Sequence, residues 1–153
     1  MIENISRAII IKEDRILLAR QIGSDYTFLP GGHIEFGETA EEALHREMYE
    51  ELGISGKCGK FICTVENIFS DAKGKKCHEI ALYYLYHPEI KNANDSFESK
   101  EPHLEFFWAD IEELENLNIK PEILDRLIQK LSLNRKPDRF YSVLEQKIKL
   151  LSE

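Results

Sequence analysis

Between residues 32 and 54 the chain reads GHIEFGETAEEALHREMYEELGI, a glycine-rich loop running directly into a glutamate-rich helix. Thr39 followed by Glu42 forms a capping box, in which hydroxyl and carboxylate each satisfy an orphan backbone donor. The helix is therefore expected to begin near Ala40, and Gly53 stands where a left-handed residue commonly ends one. At roughly 100° per residue, Ala40, Ala43, Leu44, Met48 and Leu52 line one apolar stripe. Glu47 and Glu51 fall about 40° apart within that stripe, and Glu50 lies on its edge. A run of charge ordinarily forms a solvated face. Glu41 and Glu42 fit that reading, in the first turn where the positive helix end favours them. Glu47 and Glu51 share the packed side instead. Adjacent buried carboxylates repel each other and lose hydration, so they need a cation or protons.

The bulk composition narrows the function further. The 153 residues suffice for one domain with a real core. No apolar run approaches the length of a membrane span. The start, MIENISRAIII, carries an acid and no basic stretch, so it is not read as a secretory signal, and cytoplasmic residence is expected. Twenty basic against 28 acidic residues leave a net charge of −8, which argues against nucleic-acid binding through a general basic surface. An acidic protein that binds an anionic phosphate chain needs cations to reverse the local field. Cys58, Cys63 and Cys77 are odd in number and lack a paired spacing, so reduced, partly buried thiols are expected. Cys77-His78 has no second ligand pair spaced to complete a zinc site. His33 lies in the loop, where it can touch a phosphate or simply face solvent.

Along the chain, Ile5 to Ile11 and Arg15 to Arg20 are apolar branched runs split by Lys12-Glu13-Asp14, a β-hairpin pattern. Thr27-Phe28-Leu29 reads as a short strand ended by Pro30-Gly31-Gly32. Phe61 to Phe69 and Glu79 to His87 read as strands, the second buried on both faces, with a turn at Asp71-Ala72-Lys73-Gly74 between them. Asn92 to Ser96 opens a polar loop that extends to Pro102. Leu104 to Trp108 is the next strand, and Asp110 can cap a short helix through Leu117. Pro121 is expected at the first position of a second helix, with Ile123, Leu124, Leu127, Ile128 and Leu131 as its apolar face. Lys136-Pro137-Asp138 breaks it. Tyr141, Leu144, Ile148 and Leu151 then mark a last amphipathic segment. The order of elements suggests an α+β fold, an α/β/α sandwich around a mixed central β-sheet.

The spacing from Gly32 through Glu38 to Arg46-Glu47-Met48-Tyr49-Glu50-Glu51-Leu52-Gly53-Ile54 resembles the Nudix hydrolase signature, with every fixed position filled. The resemblance covers roughly residues 5 to 132 and implies the same sandwich. Residues 1–133 are read as the Nudix domain and 134–153 as a C-terminal helical extension of it, which packs on the domain or pairs with a second subunit in a homodimer. The resemblance implies metal-dependent hydrolysis of a phosphoanhydride in a nucleoside diphosphate linked to another moiety. Glu47, Glu50 and Glu51 match the family's metal ligands, and the carbonyl of Gly31 matches a backbone ligand. One glutamate of the cluster would deprotonate the attacking water. Mg²⁺ suits such a site, with Mn²⁺ as a substitute, because it takes few carboxylates and leaves room for water and phosphates. Arg46 matches an invariant arginine that ties loop to helix, with Glu38 or a neighbouring carboxylate as its partner. Gly31, Gly32 and Gly37 allow positive φ and close backbone approach. Arg20 and Glu38 join Gly31 and Gly32 as candidate substrate contacts. A further acidic ligand is sought among Glu98, Glu101 and Glu105, with Glu101 preferred because its loop can move. Tyr26, Phe28 and Phe69 can stack on a base or belong to the core.

Two other classes share such a fold. A prenyl-diphosphate isomerase needs a catalytic cysteine and a histidine-rich metal site, and neither constellation is present. A non-catalytic nucleotide sensor usually loses glutamates of the motif, and all are kept here. The expected partner is a small-molecule nucleotide, not a membrane or a nucleic-acid surface.

Overall fold

A computed structural model of the chain describes residues 1–71, 73–90 and 96–142. In chain order these form strands β1 (Ile2–Ile9), β2 (Ile11–Lys12), β3 (Arg15–Gln21) and β4 (Gly31–His33), then helix α1 (Ala40–Leu52). Strands β5 (Gly56–Ser70), β6 (Lys76–Pro88) and β7 (Leu104–Asp110) follow, then a 3-10 helix (Ile111–Leu117), helix α2 (Ile123–Ser132) and strand β8 (Phe140–Ser142). A five-stranded mixed sheet has the order β4-β1-β6-β5-β8, and a three-stranded sheet the order β2-β3-β7. β1 runs parallel to β6, and β5 to β8, while the remaining pairs are antiparallel.

Two cores hold the layers together. Helix α1 places Leu44, Met48 and Leu52 against Ala8, Ile10, Leu17, Ala19, Tyr86 and Phe106. On the other side, Leu114 and the α2 residues Leu124, Leu127 and Ile128 meet Ile5, Ile9, Ile16, Leu18, Val65 and Tyr83. The expected α/β/α arrangement follows. Helix α1 has the anticipated bounds because both ends are chemically marked. Thr39 accepts from the Glu42 amide, the Glu42 carboxylate accepts from the Thr39 amide, and Gly53 ends the helix in the left-handed region.

The expected hairpin of residues 5–11 with 15–20 is corrected. Only Ile11–Lys12 pairs with β3, whereas β1 pairs with β4 and β6 in the other sheet. Ala8, Ile9 and Ile10 are buried in succession where the chain passes between the sheets, so alternation there does not reveal the partner strand. Thr27 and Phe28 make only isolated bridges, to Ile119 and Ala19. Gly31 and Gly32, expected to end a strand, instead lie within β4 and pair with Arg7 and Ser6. The turn between β5 and β6 is as expected around Asp71, whose carboxylate accepts from the Lys73 and Lys75 amides. Helix α2 starts two residues after Pro121. Tyr141, expected on an amphipathic helix, lies in β8 and pairs with Val65 of β5. Leu144, Ile148 and Leu151 lie outside the described residues, as do Asn92 to Asp95 of the polar loop.

Because the capping box satisfies two donors at an exposed helix start, Thr39→Ala should lower stability by about 1 kcal/mol. A urea titration should show a lower midpoint with an unchanged slope.

Candidate active site

The loop before α1 is clamped to it by one side chain. Arg46 donates to both carboxylate oxygens of Glu38, at 2.7 and 3.2 Å, and to the His33 carbonyl at 2.9 Å. It also reaches Glu47 at 2.9 Å and Glu50 at 3.3 Å. The paired carboxylates hold the Arg46 guanidinium firmly protonated. In return, Arg46 and then the Glu35 amide keep the Glu38 carboxyl below its ordinary range. Arg46 thus bonds the loop at Glu38 and His33 and also two carboxylates of the helix itself.

Two glycines let the loop approach that close, for different reasons. Gly31 sits at φ +133°, and a Cβ there would strike the Ser6 carbonyl. Gly32 has no positive φ, a correction to its expected turn role. A Cβ at Gly32 would instead overlap the carboxylate of Glu47. Glu47 thus occupies a cradle that exists only because residue 32 lacks a side chain. Gly37, at φ +93°, has open space around its would-be Cβ and serves the turn alone.

Glu51 is the buried carboxylate of the set, only 8% exposed. Its Oε2 accepts from the Gly31 amide at a long 3.4 Å. Burial pushes its carboxyl up from 4.5 to about 7, Arg7 opposes the rise, and Glu47 and Glu101 add to it. Of Glu98, Glu101 and Glu105, Glu101 is therefore the one whose charge acts on Glu51. Glu98 is exposed. Glu105 is bound to Arg20 at 2.6 Å across β3 and β7. Arg20 also lies over the Phe107 ring, so this candidate substrate contact is engaged on the three-stranded sheet. Glu50 is exposed on the rim.

The residues suit a hard divalent cation by type and placement. Glu47 and Glu51 stand one turn apart against the backbone of Gly31 and Gly32. Ser6, paired with Gly32, has a buried hydroxyl with no hydrogen-bond partner among the described residues. Among the described residues, however, no three His, Cys, Asp or Glu side chains converge as a ready-made metal cluster. Arg46 Nη1 bridges Glu47 and Glu50, so both carboxylates are already engaged by a cation. Convergence of three is not required, because magnesium keeps several waters and takes only one or two carboxylates directly.

Other expectations resolve on geometry. His33 faces solvent with Glu3 at 3.5 Å. Phe28 is half-buried against the α1 core and tilts onto Tyr26 at 6.2 Å, while Tyr26 and Phe69 are partly exposed. Burial pushes the Cys63 thiol up to about 12 and Cys58 to about 11, the opposite of an activated nucleophile. All three cysteines are free. Arg7 is the residue that the sequence reading missed. It donates to the carbonyls of Leu29 and Gly31, at 3.0 and 2.9 Å. The available signal was a cation at the inward position of an Ile5-x-Arg7-x-Ile9 alternation.

The model of the NUDIX domain matches residues 4–131, and the chain belongs to the Nudix family. It is 36% identical over 64 residues to an RNA pyrophosphohydrolase of Edwardsiella ictaluri, covering 42% of this chain and 36% of that protein. It is 31% identical over 95 residues to an ADP-ribose pyrophosphatase of Methanocaldococcus jannaschii, covering 60% of this chain and 56% of that protein. The chain thus spans about a third to just over half the length of these relatives. Among solved structures it resembles the E. coli ORF135 protein, at 25% identity and a TM-score of 0.62 over 90% of this chain and 95% of that one. The fold of a MutT protein from Bacillus halodurans is similar at 19% identity and a TM-score of 0.65, over 92% and 86% of the two chains. Among the described residues no helix is long and apolar enough to cross a membrane.

The raised carboxyl of Glu51 has a stability consequence. Its folded pKa of about 7 lies above the ordinary 4.5, so the folded state holds the extra proton. The linked stability is present below pH 4.5 and lost as pH rises through 7. In metal-free buffer, wild type should lose roughly 3 kcal/mol across this window relative to Glu51→Gln. Denaturation midpoints of the two proteins that stay parallel from acid to neutral pH would contradict it. Gly32→Ala should displace Glu47 and weaken Mn²⁺ binding, read by titration calorimetry, more than Gly37→Ala does.

Proposed function

We propose that this protein hydrolyses a phosphoanhydride bond in a nucleoside diphosphate linked to another moiety. The observation that carries the reading is the pair Glu47 and Glu51 pressed against the backbone of Gly31 and Gly32, in a family member with the full glutamate set. Glu47, Glu50 and Glu51 would hold Mg²⁺, or Mn²⁺ in its place, with the Gly31 carbonyl as backbone ligand and Glu101 as a further acid. When bound, the cation supplies charge neutralisation on the phosphate oxygens and eases deprotonation of water. The chain's own residues orient and exchange protons. Arg46 sets the positions of Glu38, Glu47 and the loop. A water oxygen bonds to one phosphorus, the bridging P–O bond breaks, and the water proton passes to a carboxylate of the cluster. Two phosphate monoesters leave. Arg20, once released from Glu105, offers a guanidinium to a substrate phosphate.

A small nucleotide suits this chain better than a long nucleic acid, because its net charge is −8. The names of the two relatives, an RNA pyrophosphohydrolase and an ADP-ribose pyrophosphatase, make a 5′-phosphorylated RNA end and ADP-ribose the first compounds to test. Free cysteines, with Cys63 buried and Cys58 and Cys77 partly so, accord with residence in the reducing cytoplasm.

Chelation should abolish hydrolysis of diphosphate-linked compounds, and Mg²⁺ or Mn²⁺ should restore it. AMP, a monoester, should not react, and turnover of AMP faster than every diphosphate-linked compound would overturn the reading. Glu51→Gln should fold and lose at least about a hundredfold in kcat, the scale of a lost catalytic electrostatic group.

A further inference from the structure

Arg7 is tied to the active site from strand β1. It lies on β1 across from Gly31 in the strand register. Its Nη1 donates to the carbonyls of both Leu29 and Gly31. Its guanidinium stacks 5.5 Å from the centre of the Phe28 ring. Its positive charge acts on Glu51. Thus one guanidinium binds the backbone oxygen assigned to the metal and acts on the most buried carboxylate of the metal set. Burying a carboxylate is costly, and the charge of Arg7 offsets part of that cost for Glu51.

The carbonyl does not depend on Arg7 for its place. The Ala8 amide bonds to Pro30 at 2.8 Å, β4 pairs with β1, and the Gly31 amide faces Glu51. What Arg7 adds is therefore charge more than position, and a cation in that place repels a second one. We propose that Arg7 is a built-in cation that occupies the Gly31 carbonyl until a divalent metal arrives, and so sets the metal concentration at which the site fills. This rests on the metal-site reading above. It assigns Arg7 an electrostatic tuning role, not contact with the reacting atoms.

The test measures Mn²⁺ dissociation constants, from the electron paramagnetic resonance signal of free Mn²⁺, for wild type, Arg7→Met and Arg7→Lys. Arg7→Met should bind Mn²⁺ about tenfold more tightly, which is the effect of about 1.4 kcal/mol. Arg7→Lys keeps the charge and should stay close to wild type. In chelated buffer, Arg7→Met should melt at a lower temperature, and adding Glu51→Gln should recover most of that loss. A merely structural arginine would lower the melting temperature without tightening Mn²⁺ binding. Unchanged or weaker Mn²⁺ binding in Arg7→Met overturns the proposal while leaving the metal site standing. If wild type binds no Mn²⁺ even at millimolar concentration, the metal-site reading falls and this inference falls with it. Should Arg7→Met fail to fold, Arg7→Gln keeps a donor for the carbonyl without the charge and must show the same tightening.

Discussion

One guanidinium fastens the loop to the helix. Arg46 bonds three carboxylates and a backbone carbonyl, and remove it and Glu38, Glu47 and Glu50 would face each other with no cation among them. Its bidentate grip on Glu38 uses the planar fork that lysine lacks. Because His33 belongs to β4 and Arg46 to α1, the same contact sets the distance between the sheet edge and the helix. Glu47 can then enter the space over Gly32, and Glu51 can reach the Gly31 amide.

Packing makes that arrangement affordable in energy terms. Leu44, Met48 and Leu52 are almost fully buried, and each contributes about 1.5–3 kcal/mol in leaving water. Their sum exceeds the roughly 3 kcal/mol that a pKa rise to about 7 represents for an ionised Glu51. The helix therefore stays docked with a carboxylate on its packed face. The cost is tolerated because of the apolar contacts of Leu44, Met48 and Leu52 along the same helix, and it leaves a site whose occupant should be a cation.

How legible was this in the chain? Helix α1 could be read to its ends, since Thr39, Glu42 and Gly53 are local signals that need no tertiary partner. The placement of Glu51 on the buried side followed from angular position alone. Strand partners could not be read. Ala8, Ile9 and Ile10 are buried together, and only the fold decides that β1 joins β6 rather than β3. Gly32 looked like a turn glycine because its real constraint comes from Glu47, a residue of the following helix. Arg7 was hidden for a similar reason. Its partners are carbonyls, which every residue has, so no side-chain spacing announces them. Tyr141 followed a helical spacing, yet edge pairing with Val65 governs its backbone.

The central claim is that Gly31, Glu47 and Glu51 form one cation site. A crystal soaked in Mn²⁺ and measured near the manganese absorption edge tests it directly. The account expects an anomalous peak beside the Gly31 carbonyl and within ligand distance, about 2.0–2.2 Å, of a carboxylate oxygen of Glu47 or Glu51. A peak bound elsewhere on the acidic surface, with Glu47 and Glu51 still turned to Arg46 and the Gly31 amide, would contradict it.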